Sequence, residues 1–230
     1  MFSRSCMANR EAIYAVLAPA SARENVITPA AGTGFAAAPG LLVTTARAVR
    51  GETDAGGPPR AEVAVIRAPD IGKKAETAVL LAVDPRNDIA LLRIHAPRSA
   101  ASLRMLPGPV PVGTPCGASG FPRIAVGAAP RIGVSLIELF QGGNISAFVG
   151  ANGGDGDAAG YYETDSPMYG DASGCPGFVA SGEVFGMHLR SVAGAPEDGK
   201  ADGARPGVSR WMPSMEIIAF VKGNGLSPAP

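Results

Sequence analysis

Apolar residues in the first half of the chain fall into short runs that predict strands. Residues 62–68 alternate apolar and polar side chains, as a strand with one buried face does. Residues 32–49 predict two strands joined by a proline–glycine turn, and residues 78–94 predict two strands joined by a proline turn, the second strand fully apolar. Residues 11–20 fit either a helix or a first strand.

The second half continues this pattern after a proline-rich linker at 97–115. Strands are predicted over residues 116–121, 131–139 and 143–150. Residues 166–190 predict a loop and two strands joined by a serine–glycine turn, and residues 191–208 predict an exposed, mobile loop. Residues 213–223 begin with Pro-Ser and have the apolar spacing of a terminal helix.

Composition supports an all-β globular chain. Apolar residues make up 46% of the 230 residues, and the chain contains 31 glycines and 21 prolines. Abundant turn residues between short, evenly spaced strands favour two β-barrels or a sandwich.

Charge and cysteine content exclude several classes of function. Twenty basic and twenty acidic residues balance, so nucleic acid is not an expected partner. No apolar run is long enough to predict a membrane span. Cys6, Cys116 and Cys175 form no metal-binding motif, and we expect neither a metal nor a cofactor. Their odd, small number predicts a reducing intracellular compartment, the cytoplasm, with the mitochondrion as the alternative because residues 1–10 carry two arginines and no acid.

Four segments, in order, resemble the trypsin-like serine proteases, and specifically the protease domain of the HtrA/Deg branch without a PDZ domain. They are "GTGFAAAPGLLVTTARAV" (32–49), "DPRNDIALLRI" (84–94), "VGTPCGASGFP" (112–122) and "TDSPMYGDASGCPGFVASGEVFGMHL" (164–189). The first resembles a strand ending in TNAHVV, and the last resembles the TDxxxxPGNSGGPLVN pattern. Asp165 lies eight residues before Ser173, which is the family's spacing. The resemblance covers about residues 12–222.

This resemblance implies an all-β fold of two six-stranded antiparallel β-barrels with a short C-terminal helix. The expected organisation is a flexible N-terminus (1–11), a first barrel (12–100), an inter-barrel linker (101–112), a second barrel with the C-terminal helix (113–222) and a tail (223–230). Cys116 matches a bridging cysteine of secreted trypsins, but Val179 occupies the partner position.

The resemblance also implies three catalytic positions. Ser173 matches the nucleophile, Asp88 matches the acid that orients the base, and Arg47 stands where the family has its histidine. A guanidinium stays protonated, so it cannot take the serine proton. We expect Arg47 to form an ion pair with Asp88 in place of the histidine–aspartate pair.

The expected oxyanion loop, Asp171, Ala172 and Ser173, departs from the family as well. The family has a glycine at position 171, where the loop needs unusual backbone angles, and a second glycine at position 175. Here these positions hold Asp171 and Cys175. A cysteine nucleophile would shift the register of the following strand, so we expect Cys175 to be a buried thiol.

The chain has two histidines that are alternatives for the missing base. His95 lies beyond the end of the strand that follows Asp88, and His188 lies on the strand after Ser173. We expect both to be surface or packing residues, with His188 the one to examine.

Three functions follow from these residues. The first is a catalytically inactive pseudoprotease that binds other proteins as a subunit of a hetero-oligomeric assembly. The alternatives are an active serine endopeptidase with a non-standard catalytic constellation, and a peptide-binding module that captures an extended strand without cleaving it.

Overall fold

A computed structural model describes residues 2–18, 30–50, 59–126, 134–151, 160–168, 172–192 and 207–230. The first barrel consists of β1 (Ile13–Ala18), β2 (Ala30–Ala38), β3 (Leu41–Thr44), β4 (Glu62–Arg67), β5 (Glu76–Asp84) and β6 (Ile89–Arg93). The second consists of β7 (Pro115–Val126), β8 (Val134–Val149), β9 (Tyr161–Thr164), β10 (Pro176–Val179), β11 (Val184–Val192) and β12 (Val208–Pro213). Helix α1 (Ser3–Asn9) precedes the first barrel, and helix α2 (Ser214–Gly223) follows the second.

Both barrels are closed and antiparallel. The strand order is β1-β2-β3-β6-β5-β4 in the first barrel and β10-β11-β12-β9-β8-β7 in the second. These two six-stranded barrels and the short C-terminal helix confirm the fold class expected from the sequence. Closure pairs both edges of each sheet, so none of the twelve described strands is left as a free edge.

Strand β1 is buried along its whole length because it faces two environments. Tyr14 and Val16 belong to the core of the first barrel. Ile13 and Ala15 belong to a separate buried cluster with Phe121 of the second barrel. A strand that is covered on both faces does not alternate in polarity, which explains why its sequence fits either a helix or a strand.

The prediction of separate strands at 131–139 and 143–150 is wrong, because β8 runs without a break from Val134 to Val149. Gly142 and Gly143 pair with Gly117 and Cys116 of β7 in the middle of the strand. A Cβ atom at Gly143 would lie 2.6 Å from the Cβ of Ser166. The glycine therefore gives room to a neighbouring loop and does not form a turn.

Both ends of the chain form helices. Helix α2 confirms the predicted terminal helix, whereas α1 occupies a stretch for which the sequence predicts no element. Most of the predicted loop at 191–208 lies outside the described residues, and its two ends belong to β11 and β12. Among the described residues, no helix is long and apolar enough to cross a membrane.

Candidate active site

Arg47 and Asp88 form an ion pair at one end of the first barrel. Arg47 begins a short 3₁₀ helix directly after β3, and Asp88 ends the turn between β5 and β6. The Asp88 carboxylate accepts the Arg47 backbone N–H at 3.0 Å and the Arg47 Nε–H at 2.7 Å. The Arg47 Nη2 atom lies 2.6 Å from Asp88 Oδ2. These contacts confirm the expected ion pair.

The backbone of Asp88 is adapted to this contact. Its φ of 53° makes it the only residue other than glycine with a positive φ in the described part of the chain. Aspartate tolerates this left-handed conformation better than most residues do. The turn therefore aims the carboxylate at the start of the 3₁₀ helix. The Asp88 side chain is only 20% exposed, whereas half of the Arg47 side chain faces solvent.

Ser173 lies on a turn that is held by backbone hydrogen bonds. Its carbonyl accepts the Thr33 N–H at 2.8 Å, and the Gly174 N–H donates to the His188 carbonyl at 2.8 Å. Gly174 has a φ of 90°, and a Cβ atom there would collide with the Thr33 carbonyl oxygen. Glycine is required at this position for both reasons.

The turn of Ser173 lies against the segment that carries Arg47. A Cβ atom built on Gly32 would lie 2.7 Å from the Cβ of Ala48 and 3.2 Å from the carbonyl oxygen of Ser173. Ala48 directly follows Arg47 in the chain. Strand β2 therefore lies against both the Ser173 turn and the segment that carries Arg47, which in turn holds Asp88.

The Ser173 hydroxyl donates a hydrogen bond to the Leu189 carbonyl at 3.1 Å. Among the described residues, no imidazole or carboxylate contacts this hydroxyl. The hydroxyl proton is thus directed to a main-chain oxygen, which cannot remove it. Sequence reasoning missed this partner, because a main-chain carbonyl leaves no signal in residue identity.

His188 lies close to the serine turn through its backbone, but its imidazole is used elsewhere. The ring packs on Trp211 with centroids 5.0 Å apart, and its Nε2 atom lies 3.3 Å from the Ser191 hydroxyl. The His188 pKa is lowered to about 4; burial is the main cause, and the nearby Arg47 charge acts in the same direction. The imidazole is 2% exposed and neutral above that pH. It is a buried packing residue, as expected.

His95 lies in a different part of the first barrel. It lines an open groove together with Glu62, Glu76 and Arg98. The Arg98 backbone N–H donates to the Glu76 carboxylate at 3.0 Å. Nothing in this groove belongs to the cleft of Ser173, so His95 is not placed to act on the serine.

The two barrel cysteines are buried thiols. Cys175 is fully buried, and burial raises its pKa far above its ordinary value. Burial also raises the pKa of Cys116 to about 12. In the register between β7 and β10, Cys116 lies opposite Val179, the position of the missing cysteine partner. Both cysteines are free, and the expectation of a buried thiol at Cys175 is confirmed.

The expected oxyanion loop is described only in part. Asp171 lies outside the described residues, as do the two residues before it. Ala172 is fully buried, and its carbonyl accepts the Cys175 N–H at 3.0 Å. The role of this loop in holding an oxyanion stays a prediction.

Thr33 is the residue that the sequence interpretation overlooked. Its N–H donates to the Ser173 carbonyl, its hydroxyl accepts the Phe121 N–H at 2.9 Å, and its carbonyl accepts the Thr44 hydroxyl at 2.7 Å. It is fully buried between the barrels. The sequence does contain a signal for a close contact here: in the "GTGF" stretch, a glycine stands on each side of the threonine.

Comparisons with known proteins bear on the family and the fold of the chain. A sequence profile described as the trypsin-like peptidase domain matches residues 32–187, a range that includes Arg47, Asp88 and Ser173. No curated protein sequence matches the chain. The fold is similar to the crystal structure of the active form of the Rv3671c protease from M. tuberculosis. The TM-score is 0.66 and the identity 18%, over 98% of this chain and 86% of that chain. At this identity the likeness shows a shared fold alone.

Proposed function

The chain belongs to the trypsin-like peptidase family, and from this premise we propose that its cleft does not hydrolyse peptide bonds. The domain serves instead as a binding or structural subunit of a larger protein assembly. The observation that carries this proposal is the ion pair between Arg47 and Asp88, the two residues that the sequence resemblance matches to the base and its orienting acid.

The ion pair removes two of the three functions of a catalytic triad. A guanidinium has five N–H donors and no acceptor, so Arg47 cannot take a proton from Ser173. Asp88 accepts hydrogen bonds from the backbone and the side chain of Arg47. Its carboxylate is therefore already committed to a cation. A general base usually contributes about 10²–10⁴-fold to such a reaction.

The environment of Ser173 is consistent with this loss. Its hydroxyl is bonded to the Leu189 carbonyl, and the His188 ring that lies on the same strand contacts Ser191 instead. A lowered pKa also makes His188 a weak base. Within the described residues, neither histidine is positioned to replace the missing base.

Exposed apolar side chains on β8 support a binding role. Ile137, Phe140 and Phe148 are 50%, 40% and 52% exposed on this one long strand. Large apolar side chains that stay exposed along one element are typical of protein-contact surfaces. We take β8 as the surface that contacts the partner proteins.

The test is labelling with a fluorophosphonate probe, which reacts with an activated serine. We compare wild type with Ser173→Ala and Arg47→His, and we follow the digestion of an unfolded protein substrate in parallel. We expect wild type to show no more labelling or cleavage than Ser173→Ala. Labelling that depends on Ser173 in the wild-type chain would contradict the proposal. Labelling that appears only in Arg47→His would assign the loss of activity to that one position.

A further inference from the structure

We infer that the chain forms a two-fold symmetric dimer in which the β8 strands of two copies pair antiparallel along residues 134–140. The inference rests on the binding role proposed for β8, and it goes further by naming the partner and the mode of contact. Three features of β8 support it: one side of its first half has no neighbouring strand, its exposed side chains are apolar, and its one charge is already paired. The dimer does not depend on whether Ser173 reacts.

The first half of β8 has a neighbouring strand on one side only. Strand β7 pairs with β8 from Val134 to Asn144. On the other side, β9 pairs with β8 only from Ile145 onward. Within the described part of the chain, no strand adjoins residues 134–142 on that side. Because the backbone groups of a strand point alternately to its two sides, this stretch presents ladder donors and acceptors without a strand partner over about 30 Å.

Asp165 ends the pairing between β8 and β9. Its carboxylate accepts the Asn144 backbone N–H at 2.7 Å and the Asn144 side-chain amide at 3.1 Å. Its own backbone N–H donates to the Asn144 carbonyl at 3.2 Å. A side chain therefore takes the place of a strand partner at Asn144, and the ladder stops there. The residues of β8 before this point are left for a strand from outside the chain.

The open stretch of β8 is held in place by side chains from other elements. The Glu138 carboxylate accepts the Arg10 Nε–H at 2.6 Å. The Phe140 ring packs on Phe2 and Phe178, with centroids 6.1 and 6.2 Å apart. A strand that is already ordered loses little conformational entropy when another strand pairs with it. The stretch is therefore prepared for strand addition.

The open stretch also lacks the residues that usually prevent strands from pairing. Natural edge strands are commonly protected by lysine or proline. Residues 134–142, "VSLIELFQG", contain neither, and they are rich in the β-branched and aromatic residues that favour strands. Ile137 is 50% exposed and Phe140 is 40% exposed. Pairing with another strand would cover part of this apolar surface.

A second copy of the chain fits this stretch in charge and polarity. Opposite residues of an antiparallel pair lie on the same face, so the two-fold axis passes through a residue position. An axis at Ile137 places each Ile137 opposite its own copy and each Glu138 opposite Leu136 of the second copy. The only charged residue of the stretch therefore meets no like charge. Arg10 moreover compensates the charge of Glu138.

The test combines sedimentation equilibrium with hydrogen exchange on the full-length chain. Wild type is compared with Ile137→Lys, which places a charge at the proposed axis. The matched control is Leu81→Lys, because Leu81 is 45% exposed but lies on β5, which pairs with both β4 and β6. Exchange is followed at low and high protein concentration for the backbone amides of residues 134–142. Circular dichroism establishes that each variant is folded.

We expect wild type to sediment as a dimer at high concentration. Ile137→Lys should raise the dissociation constant of the dimer roughly tenfold or more, because two ammonium groups then oppose each other across the axis. Leu81→Lys should leave that constant unchanged. Exchange in residues 134–142 should slow as the concentration of wild type rises, and it should not slow in Ile137→Lys.

Three outcomes would overturn the inference. The first is a dimer that persists unchanged in folded Ile137→Lys, and the second is a dimer whose formation leaves exchange in residues 134–142 unaltered. The third is a monomeric wild type, and slower exchange on addition of a degenerate decapeptide pool would then assign the strand to a segment of another protein. Fluorophosphonate labelling of the same samples that depends on Ser173 would contradict the proposed absence of hydrolysis and leave the dimer standing.

Discussion

Two side chains near Ser173 keep the same charge around neutral pH: Arg47 is cationic and His188 is neutral. The guanidinium is protonated at every physiological pH, and burial keeps the imidazole neutral down to about pH 4. Neither group changes its proton content in the range where trypsin-like enzymes rely on a titrating histidine. The charges of these two side chains are therefore nearly constant near neutral pH.

The lowered pKa of His188 predicts a loss of stability in acid. In the unfolded chain the imidazole binds its proton below about pH 6.5, but in the folded chain it stays neutral until about pH 4. Between these values the unfolded state binds more protons, so the free energy of unfolding falls as the pH falls, by roughly 1 kcal/mol per pH unit. His188→Gln should flatten this slope in urea titrations from pH 7 to pH 4.

The matched control for this experiment is His95→Gln, which replaces the exposed histidine. We expect it to leave the slope unchanged. An identical slope in wild type and His188→Gln would mean that another group causes the acid sensitivity.

At this scale the sequence allowed some contacts to be predicted and not others. The Arg47–Asp88 pair follows from two charged side chains at positions whose family counterparts touch, so residue identity was sufficient. The Leu189 carbonyl could not be predicted as the partner of Ser173, because every residue carries a carbonyl and only the strand register selects one. The burial of His188 depends in the same way on register, because it pairs with Trp211 of the neighbouring strand β12 and packs on its ring.

Among the elements, β2 connects the two barrels through Thr33. Its hydroxyl accepts the main-chain N–H of Phe121, which belongs to β7. Adjacent to it, Gly32 and Gly34 allow β2 to approach its neighbours closely. The strand thus serves as a wall of the first barrel and as the contact surface for the second.

Thr33→Val tests this role because valine keeps the shape of the side chain and removes the hydroxyl. The Phe121 N–H is then buried without an acceptor, which costs about 1–3 kcal/mol of unfolding free energy. The control is Thr77→Val, on the exposed face of β5. It should change the free energy of unfolding by less than about 0.5 kcal/mol. Equal effects in urea denaturation would argue against Thr33 as the connection.

The elements also show where pattern reasoning fails. Gly142 and Gly143 resemble a turn because glycine commonly punctuates strands. Here they lie inside β8, where a loop packs directly on the strand at Gly143 and leaves no room for a Cβ atom there. The space around a glycine depends on residues far away in the chain. No local rule could therefore have distinguished a glycine in a turn from a glycine inside a strand.

On the scale of the whole molecule, the segments that flank the barrels cross from one barrel to the other. Helix α1 precedes the first barrel but contacts the second, where the Ser5 hydroxyl donates to the Ala180 carbonyl and the Asn9 amide to the Gly182 carbonyl. Helix α2 packs on β11 and β12 of the second barrel, and Ile217 and Val221 join a buried cluster that contains residues of both barrels. The tail beyond α2 reaches the first barrel, where the Ala229 N–H donates to the Ala37 carbonyl at 2.6 Å. Each barrel is therefore covered in part by the chain end that adjoins the other.

This crossing predicts that the barrels unfold together. Ile217→Ala removes a fully buried side chain from α2 and should lower the free energy of unfolding by about 2–5 kcal/mol. Hydrogen exchange should then accelerate in strands of both barrels to the same extent. The control is Met215→Ala, at a side chain that is 39% exposed. It should leave the free energy of unfolding and the hydrogen-exchange rates nearly unchanged. Faster exchange confined to the second barrel would contradict the coupling.

The crossing also has a consequence for the order of synthesis on the ribosome. The strands of the first barrel emerge early, yet α2, which belongs to the same buried cluster, emerges only after all twelve described strands. At roughly 5–20 residues per second, that wait is on the order of ten seconds. Helix α1 waits as well, because its partners at the turn between β10 and β11 emerge late. We therefore expect the nascent first barrel to leave this part of its apolar cluster uncovered until α2 has left the ribosome.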